Sequence, residues 1–168
     1  MIRGLIVECN QKPFVVNPLT VVVQSNSKKR LILDLRHVNK NLWKTSVKFE
    51  DIRTAMQFIN AKSFCFSFDI YSAYHHIDIY EPHTKFLGFA WKYDTGIIYF
   101  KFLVLPFGLS SACYVFTKVT RPLIKKCRGE GKNILMYLDD GLGSYPDEDV
   151  CTAMAEQVKE DLILSGFV

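Results

Sequence analysis

The sequence has no CxxC pair, no Cys/His group at zinc spacing, no internal repeat and no low-complexity tract. Its five cysteines, Cys9, Cys65, Cys113, Cys127 and Cys151, are odd in number and scattered. That argues against a disulfide framework and for reduced thiols in an intracellular protein. Without zinc spacing, a structural zinc module is excluded. No stretch approaches the ~20 apolar residues that cross a bilayer, and the first ten residues lack the apolar core of a signal peptide. No membrane association is expected. Charge of one sign is also scarce: 21 Lys and Arg stand against 17 Asp and Glu, a net charge of +4. This excludes a histone-like or arm-type polyanion binder, while permitting a nucleic-acid partner. The dense basic runs, Lys28-Lys29-Arg30 and Lys125-Lys126-Cys127-Arg128, read equally well as a solvated turn and a helix end.

What is present suits one folded domain. The chain has 168 residues, 49% hydrophobic and 23% charged, enough apolar material for a sizeable core. Short apolar runs alternate with amphipathic stretches, which predicts an α+β domain. Leu19 to Gln24 and Arg30 to Asp34 form a hairpin around Ser25-Asn26-Ser27-Lys28. Glu50 to Ile59 is a short helix. Ser63 to Asp69 is a strand with Phe64, Phe66 and Phe68 on one face, read as core, and a carboxylate at its end. A second hairpin joins Phe86–Trp91 to Ile97–Leu103. A helix follows from Ser110 or Ser111 through Val115, Val119 and Leu123, with Pro122 expected to bend or interrupt it. Ile134–Leu138 and Gly141–Tyr145 are strands with Asp139-Asp140 as the turn between them. Asp147–Ser165 is a helix with Val150, Met154, Val158 and Leu162 on one face and Gly166 as its C-cap. Glu156 to Asp161 reads as its solvated face. The helix between Asp69 and the Asp139-Asp140 hairpin allows both to lie in one sheet.

The carboxylates carry the chemistry. Adjacent aspartates repel, and in a half-buried turn that repulsion is costly. Water relieves it, or a divalent cation does: Mg²⁺ takes oxygen ligands and keeps positions open for phosphate. Two such ions stabilise the attacking and leaving oxygens of a phosphoryl transfer, and a third carboxylate is needed to bridge them. Asp69 is the natural candidate. Taken alone, Asp-Asp in a turn is ordinary, because aspartate favours turns. His75 and His76 are adjacent and point apart on a helix, which disfavours shared zinc ligation.

Four blocks in order remove that ambiguity. Arg30-Leu31-Ile32-Leu33-Asp34-Leu35-Arg36-His37-Val38-Asn39-Lys40, Phe68-Asp69-Ile70-Tyr71-Ser72-Ala73-Tyr74, Leu105-Pro106-Phe107-Gly108-Leu109-Ser110-Ser111-Ala112 and Tyr137-Leu138-Asp139-Asp140 occur in the order that reverse transcriptases use. Asp139 follows Asp69 by 70 residues, a separation similar to the family's. The chain resembles a partial reverse transcriptase domain, and Pro-Phe-Gly-Leu resembles long-terminal-repeat elements, with DIRS-like retrotransposons the most similar. An RNA-directed RNA polymerase also uses paired aspartates, but Tyr74 and the Leu-Pro-Phe-Gly block argue against it.

The resemblance implies a fingers-palm fold, with about 1–62 and 86–104 fingers-like and about 63–85 and 105–168 palm-like. It implies RNA-directed DNA synthesis with two Mg²⁺ ions, Mn²⁺ being an alternative, on an RNA or DNA template with primer and dNTPs. Asp69, Asp139, Asp140 and the Ile70 carbonyl would hold the metals. Arg30 would contact the triphosphate, and Ala73, Tyr74, Phe107 and Gly108 would line the nucleotide pocket, with Tyr74 excluding a 2′-hydroxyl. Tyr137, Leu138 and Arg36 would meet primer or template, while Asp34, Arg36 and Asn39 order the fingers. The chain departs from the family pattern in three ways. No lysine stands near Val22 to Gln24, Cys113 replaces a common proline, and the chain stops before a thumb or RNase H, as expected of part of a longer polyprotein. An inactive fragment or remnant that only folds or binds nucleic acid is the alternative.

Overall fold

A computed structural model describes residues 4–23, 27, 29–44 and 46–167, except the Arg30 side chain. In chain order the elements are β1 (Ile6–Cys9), β2 (Val16–Asn17), β3 (Leu19–Val23), β4 (Lys29–Leu33), α1 (Arg36–Asn39), α2 (Ile52–Ala55) and β5 (Phe64–Asp69). A 3₁₀ turn (Ala73–His76), α3 (Glu81–Thr84), β6 (Gly88–Tyr93), β7 (Gly96–Phe102), α4 (Ala112–Gly129), β8 (Asn133–Tyr137), β9 (Asp140–Tyr145) and α5 (Glu148–Leu164) follow. They form two compact units, 1–45 with 74–112 and 46–73 with 113–168. No helix among the described residues is long and apolar enough to cross a membrane.

In the first unit, β7 is flanked by β1 and β6, both antiparallel, and the short β2 joins β6 in parallel. The hairpin β3–β4 is a separate two-stranded sheet. Of the turn that joins it, only Ser27 is described, at φ 62°. A cluster of Leu33, Leu35, Val38, Leu87, Phe89, Phe102 and Val104 ties hairpin, α1 and sheet together. Burying each such side chain contributes roughly 1.5–3 kcal/mol. Buried Asn17 donates to the carbonyls of Phe86 and Gly88, both at 2.9 Å, which fastens β2 and satisfies its amide.

In the second unit the strand order is β5-β9-β8, all antiparallel. The sequence pattern placed Phe64, Phe66 and Phe68 in the core. Instead Phe64 is exposed and the other two are half-buried, because their rings lie over glycines of β9. Phe66 pairs with Gly143 and Phe68 with Gly141. A Cβ at either glycine would stand about 2 Å from ring carbons (2.2 and 2.0 Å). The two rings stack on each other, centroids 6.4 Å apart and 24° between planes. An aromatic laid over a cross-strand glycine is a known means of covering bare backbone.

The helices differ from the sequence pattern in instructive ways. α4 runs through Pro122 without interruption. Phe116, Thr120, Ile124 and Cys127 form its buried face, and that packing outweighs a proline penalty of ~3 kcal/mol. The expected stripe at Val115, Val119 and Leu123 is off by one residue, and Val119 is exposed. On α5, Cys151 takes the buried place expected of Val150, alongside Met154, Val158 and Leu162. The Asp147 carboxylate caps its start by accepting from Val150 N at 3.0 Å, and Gly166 follows its end at φ 88°. The solvated reading of Asp161 fails. Its side chain is 12% exposed, and it pairs with Lys126 at 2.6 Å and with buried Lys132 at 3.8 Å. α2 is a single turn rather than ten residues, since only Ala55 of it is buried.

Gly143→Ala should lower unfolding free energy by about 1–3 kcal/mol in urea denaturation, because the Phe66 ring must move. The double variant Phe66→Ala/Gly143→Ala should cost less than the sum of the single variants.

Candidate active site

The paired aspartates meet Asp69 through backbone register. Tyr137 pairs with Asp140 across β8 and β9, so the turn between them is Leu138-Asp139. Asp140 therefore belongs to β9, a correction to the turn read from sequence. On its other side Asp140 pairs with Asp69, the last residue of β5. Directly opposed residues project from the same face of a sheet. Tyr137, Asp140 and Asp69 thus form one row. Asp139 sits beside it, and its carbonyl accepts the Ile70 N–H at 3.0 Å, fastening the turn to the end of β5.

Two residues around this row hold unfavourable backbone. Leu138 lies at φ 56° and Ser72 at φ 52°, a region that side chains other than glycine rarely adopt, at a cost of order 1–3 kcal/mol. The strain flanks the carboxylates on both chain segments. Asp69 and Asp140 are exposed and Asp139 half-buried. Among the described residues no lysine or arginine pairs with any of them. Like charges opposed without a counterion are destabilising. Among the described residues no three His, Cys, Asp or Glu side chains converge as a ready metal cage. The donors are nevertheless of the right kind for a hard cation: carboxylate oxygens, open to water and unneutralised.

Tyr137 rests its half-exposed ring on Phe49, centroids 5.6 Å apart. Leu138 is half-buried, Ile70 and Ala73 are buried. The remaining expected residues lie in the first unit. Tyr74 and His75 both meet Phe107 edge-on, with centroids at 5.6 and 5.3 Å. Gly108 has φ 101°, and a Cβ there would stand 2.5 Å from the Leu33 carbonyl oxygen. Its backbone freedom thus serves close approach to the end of β4. Asn39 clamps the same loop, donating to the Gly108 carbonyl at 2.8 Å and accepting from Ser110 N at 2.9 Å. Arg36 is highly exposed and forks onto Asp34, Nε to Oδ1 at 2.9 Å and Nη2 to Oδ2 at 2.6 Å. The Arg36 guanidinium holds the Asp34 carboxyl below its usual range. The Arg30 side chain and Lys28 lie outside the described residues.

Residues that sequence reasoning missed surround β8. Glu50 and Arg128, 78 positions apart, join at 2.7 Å. Nothing local marks either one: Arg128 was part of a basic run and Glu50 the start of a short helix.

A family model described as "Reverse transcriptase (RNA-dependent DNA polymerase)" matches residues 21–168. No curated protein matches the chain by sequence. Among solved structures, a foamy viral protease–reverse transcriptase bound to double-stranded DNA matches at TM-score 0.84 and 21% identity, over 99% of this chain and 28% of that one. The native prototype foamy virus protease–reverse transcriptase matches at TM-score 0.81 and 21% identity, over 99% and 21%. At such identity the likeness establishes the fold, an α+β fingers-palm arrangement. The chain spans between a fifth and a third of the length of the chains it matches.

Asn39→Ala should destabilise by about 1–3 kcal/mol, because Ser110 N–H and the Gly108 carbonyl both lose their partner; thermal denaturation measures it. His75 provides a pH test. Burial, with His76 beside it, holds its imidazole below the ordinary 6.5. The folded state therefore binds this proton less readily than the unfolded one. Its contribution is present above 6.5 and lost as pH falls below it. The wild type should lose stability more steeply than His75→Gln between about pH 6.5 and 5, as read by denaturation at each pH.

Proposed function

Because the chain belongs to the reverse transcriptase family, we propose that it carries the nucleotidyl-transfer site of an RNA-directed DNA polymerase. The observation that carries this reading is the β5–β9 register that sets Asp69 opposite Asp140, with Asp139 in the adjoining turn. We assign 46–73 with 113–168 to the palm and 1–45 with 74–112 to the fingers, in place of the boundaries near 62, 85 and 104 that the resemblance implies.

Asp69, Asp139 and Asp140 are the groups that would hold divalent cations, with the Ile70 carbonyl beside them. Bound Mg²⁺ supplies Lewis acidity and neutralises charge on the transferring phosphoryl group. The chain's own residues bind and orient. The carboxylates supply anionic oxygen ligands at the end of β5. Tyr137, exposed at the same row, offers a ring to the primer end. Tyr74, braced by Phe107, is the wall that excludes a ribose 2′-hydroxyl, and Arg30 reaches the triphosphate. The template is read by base pairing, so affinity should depend on phosphate contacts and fall with salt. The double-stranded DNA bound by the foamy viral relatives supports a primer–template partner here.

Two measurements test this. Mn²⁺ should broaden the amide resonances of Asp69, Ile70 and Leu138 to Asp140 in NMR spectra, and Asp69→Asn should abolish the broadening. Uniform or absent broadening counts against the site. Primer extension on an RNA template should fall about 100-fold or more in Asp69→Asn and Asp139→Asn, the loss of several kcal/mol of charge stabilisation. Unchanged extension in Asp139→Asn rules out the assignment. Absence of extension by the wild-type chain would favour a fold that binds nucleic acid without catalysis.

A further inference from the structure

β8 is the outer strand of the palm sheet, and among the described residues no strand covers its free edge. It is also the strand that delivers the Leu138-Asp139 turn. In a two-residue hairpin, the Tyr137–Asp140 pair bonds inward to β9. Met136 and Ile134, one and three places back from it, therefore turn their backbone groups outward. An unpaired edge of this kind is free to fray or to pair wrongly.

Two side chains occupy that edge. The Arg128 guanidinium donates to the Ile134 carbonyl, from Nε at 2.9 Å and Nη2 at 2.7 Å. The Glu50 carboxylate accepts the Met136 N–H at 3.1 Å. The two also bind each other as a fork, Nη1 to Oε1 and Nη2 to Oε2, both at 2.7 Å. One donor to residue 134 and one acceptor for residue 136 is what a single residue of a parallel neighbouring strand would supply. The ion pair thus stands in for a missing strand.

Its partners are themselves held. Glu50 immediately precedes Asp51, whose carboxylate caps α2 by accepting from Arg53 N at 3.0 Å and Thr54 N at 3.3 Å. Phe49, on the other side of Glu50, packs on Tyr137. Arg128 sits in the last turn of α4. The grip therefore spans α4, the segment before α2 and the strand before the turn. Burial raises the Glu50 carboxyl, but the Arg128 and Met136 hydrogen bonds outweigh it, so the group stays ionised below its usual range, consistent with charge-assisted bonds.

We propose that Glu50 and Arg128 are positioning residues that hold β8 in place, so that the strained Leu138-Asp139 turn stays docked on Ile70 beside Asp69. The inference rests on the reading of this turn as the active site, yet the docking itself is measurable without metal or activity. Leu138 at positive φ persists only where its surroundings over-determine it. The Ile70 N–H bond to the Asp139 carbonyl is the far end of that constraint.

The test is amide hydrogen exchange on the full chain, residue by residue, for wild type, Glu50→Ala, Glu50→Gln and Lys126→Ala. Lys126 pairs with Asp161 in the same unit, away from this edge, and serves as the control for general destabilisation. Glu50→Ala should speed exchange at Met136 and Ile70 about tenfold or more, the effect of one lost charge-assisted bond, while Phe66 and Cys65 in β5 change no more than in Lys126→Ala. Glu50→Gln, which keeps an acceptor for Met136 N–H, should restore part of the protection. Mn²⁺ broadening should weaken in parallel in Glu50→Ala. Acceleration spread evenly over the sheet, or no change at Ile70, would overturn the positioning role. If exchange responds as expected but wild type binds no Mn²⁺, the docking role stands and the metal-site reading fails.

Discussion

The pairing of β5 with β9 is the constraint on which the candidate chemistry depends. Side chains alternate along a strand, so a slip of one residue would turn Asp69 to the opposite face from Asp140. The register is enforced by shape. Phe66 and Phe68 lie on Gly143 and Gly141, where a Cβ would stand 2.2 and 2.0 Å from ring carbons. The glycines that alternate after the aspartates are thus part of the site, although they carry no functional group. They let a strand ending in a carboxylate lock against a strand beginning with one.

The same sheet bears costs that its surroundings offset. Opposed carboxylates without a counterion among the described residues and a leucine at positive φ are both unfavourable, and they occur within a few residues of each other. Such a concentration is the mark of a site organised for a ligand rather than for stability. What stabilises it is distributed: the Ile70–Asp139 backbone bond, the Phe49 ring on Tyr137 and the Glu50–Arg128 pair on the strand edge. Deeper in the unit, Lys126, Lys132 and Asp161 tie α4 to α5.

The first unit is held differently. An apolar cluster ties its elements together, and two asparagines fasten its strand and loop backbone. Asn39 bridges two backbone positions around Gly108, and Asn17 bridges two around Leu87. Each satisfies two backbone groups through its side-chain amide. The loop carrying Phe107 and Gly108 is in this way fastened without being regular, which suits the nucleotide-lining role proposed for it.

Much of this was legible in the amino-acid sequence. The two fingers-side hairpins, β5, β8, the glycine after α5 and the four ordered blocks follow from local patterns, because alternation, capping and turn chemistry act over a few residues, whereas β1 and β2 went unread. The three aspartates stood out only through the order and spacing of those blocks. Helix faces were less legible: Val119 and Val150 are apolar but exposed, while Thr120 and Cys151 are buried in their place, since a one-residue rotation of a helix barely changes its apolar pattern. The membership of Asp140 in β9, the ring-over-glycine register and the Glu50–Arg128 pair belong to the tertiary structure alone. The first turns on a two-residue turn that the apolar pattern does not mark, and the other two depend on partners tens of residues away, a separation that leaves no trace in a local pattern. The sequence by itself determined which groups are available for chemistry; only the folded sheet decided that Asp69 faces Asp140, because facing is a property of register.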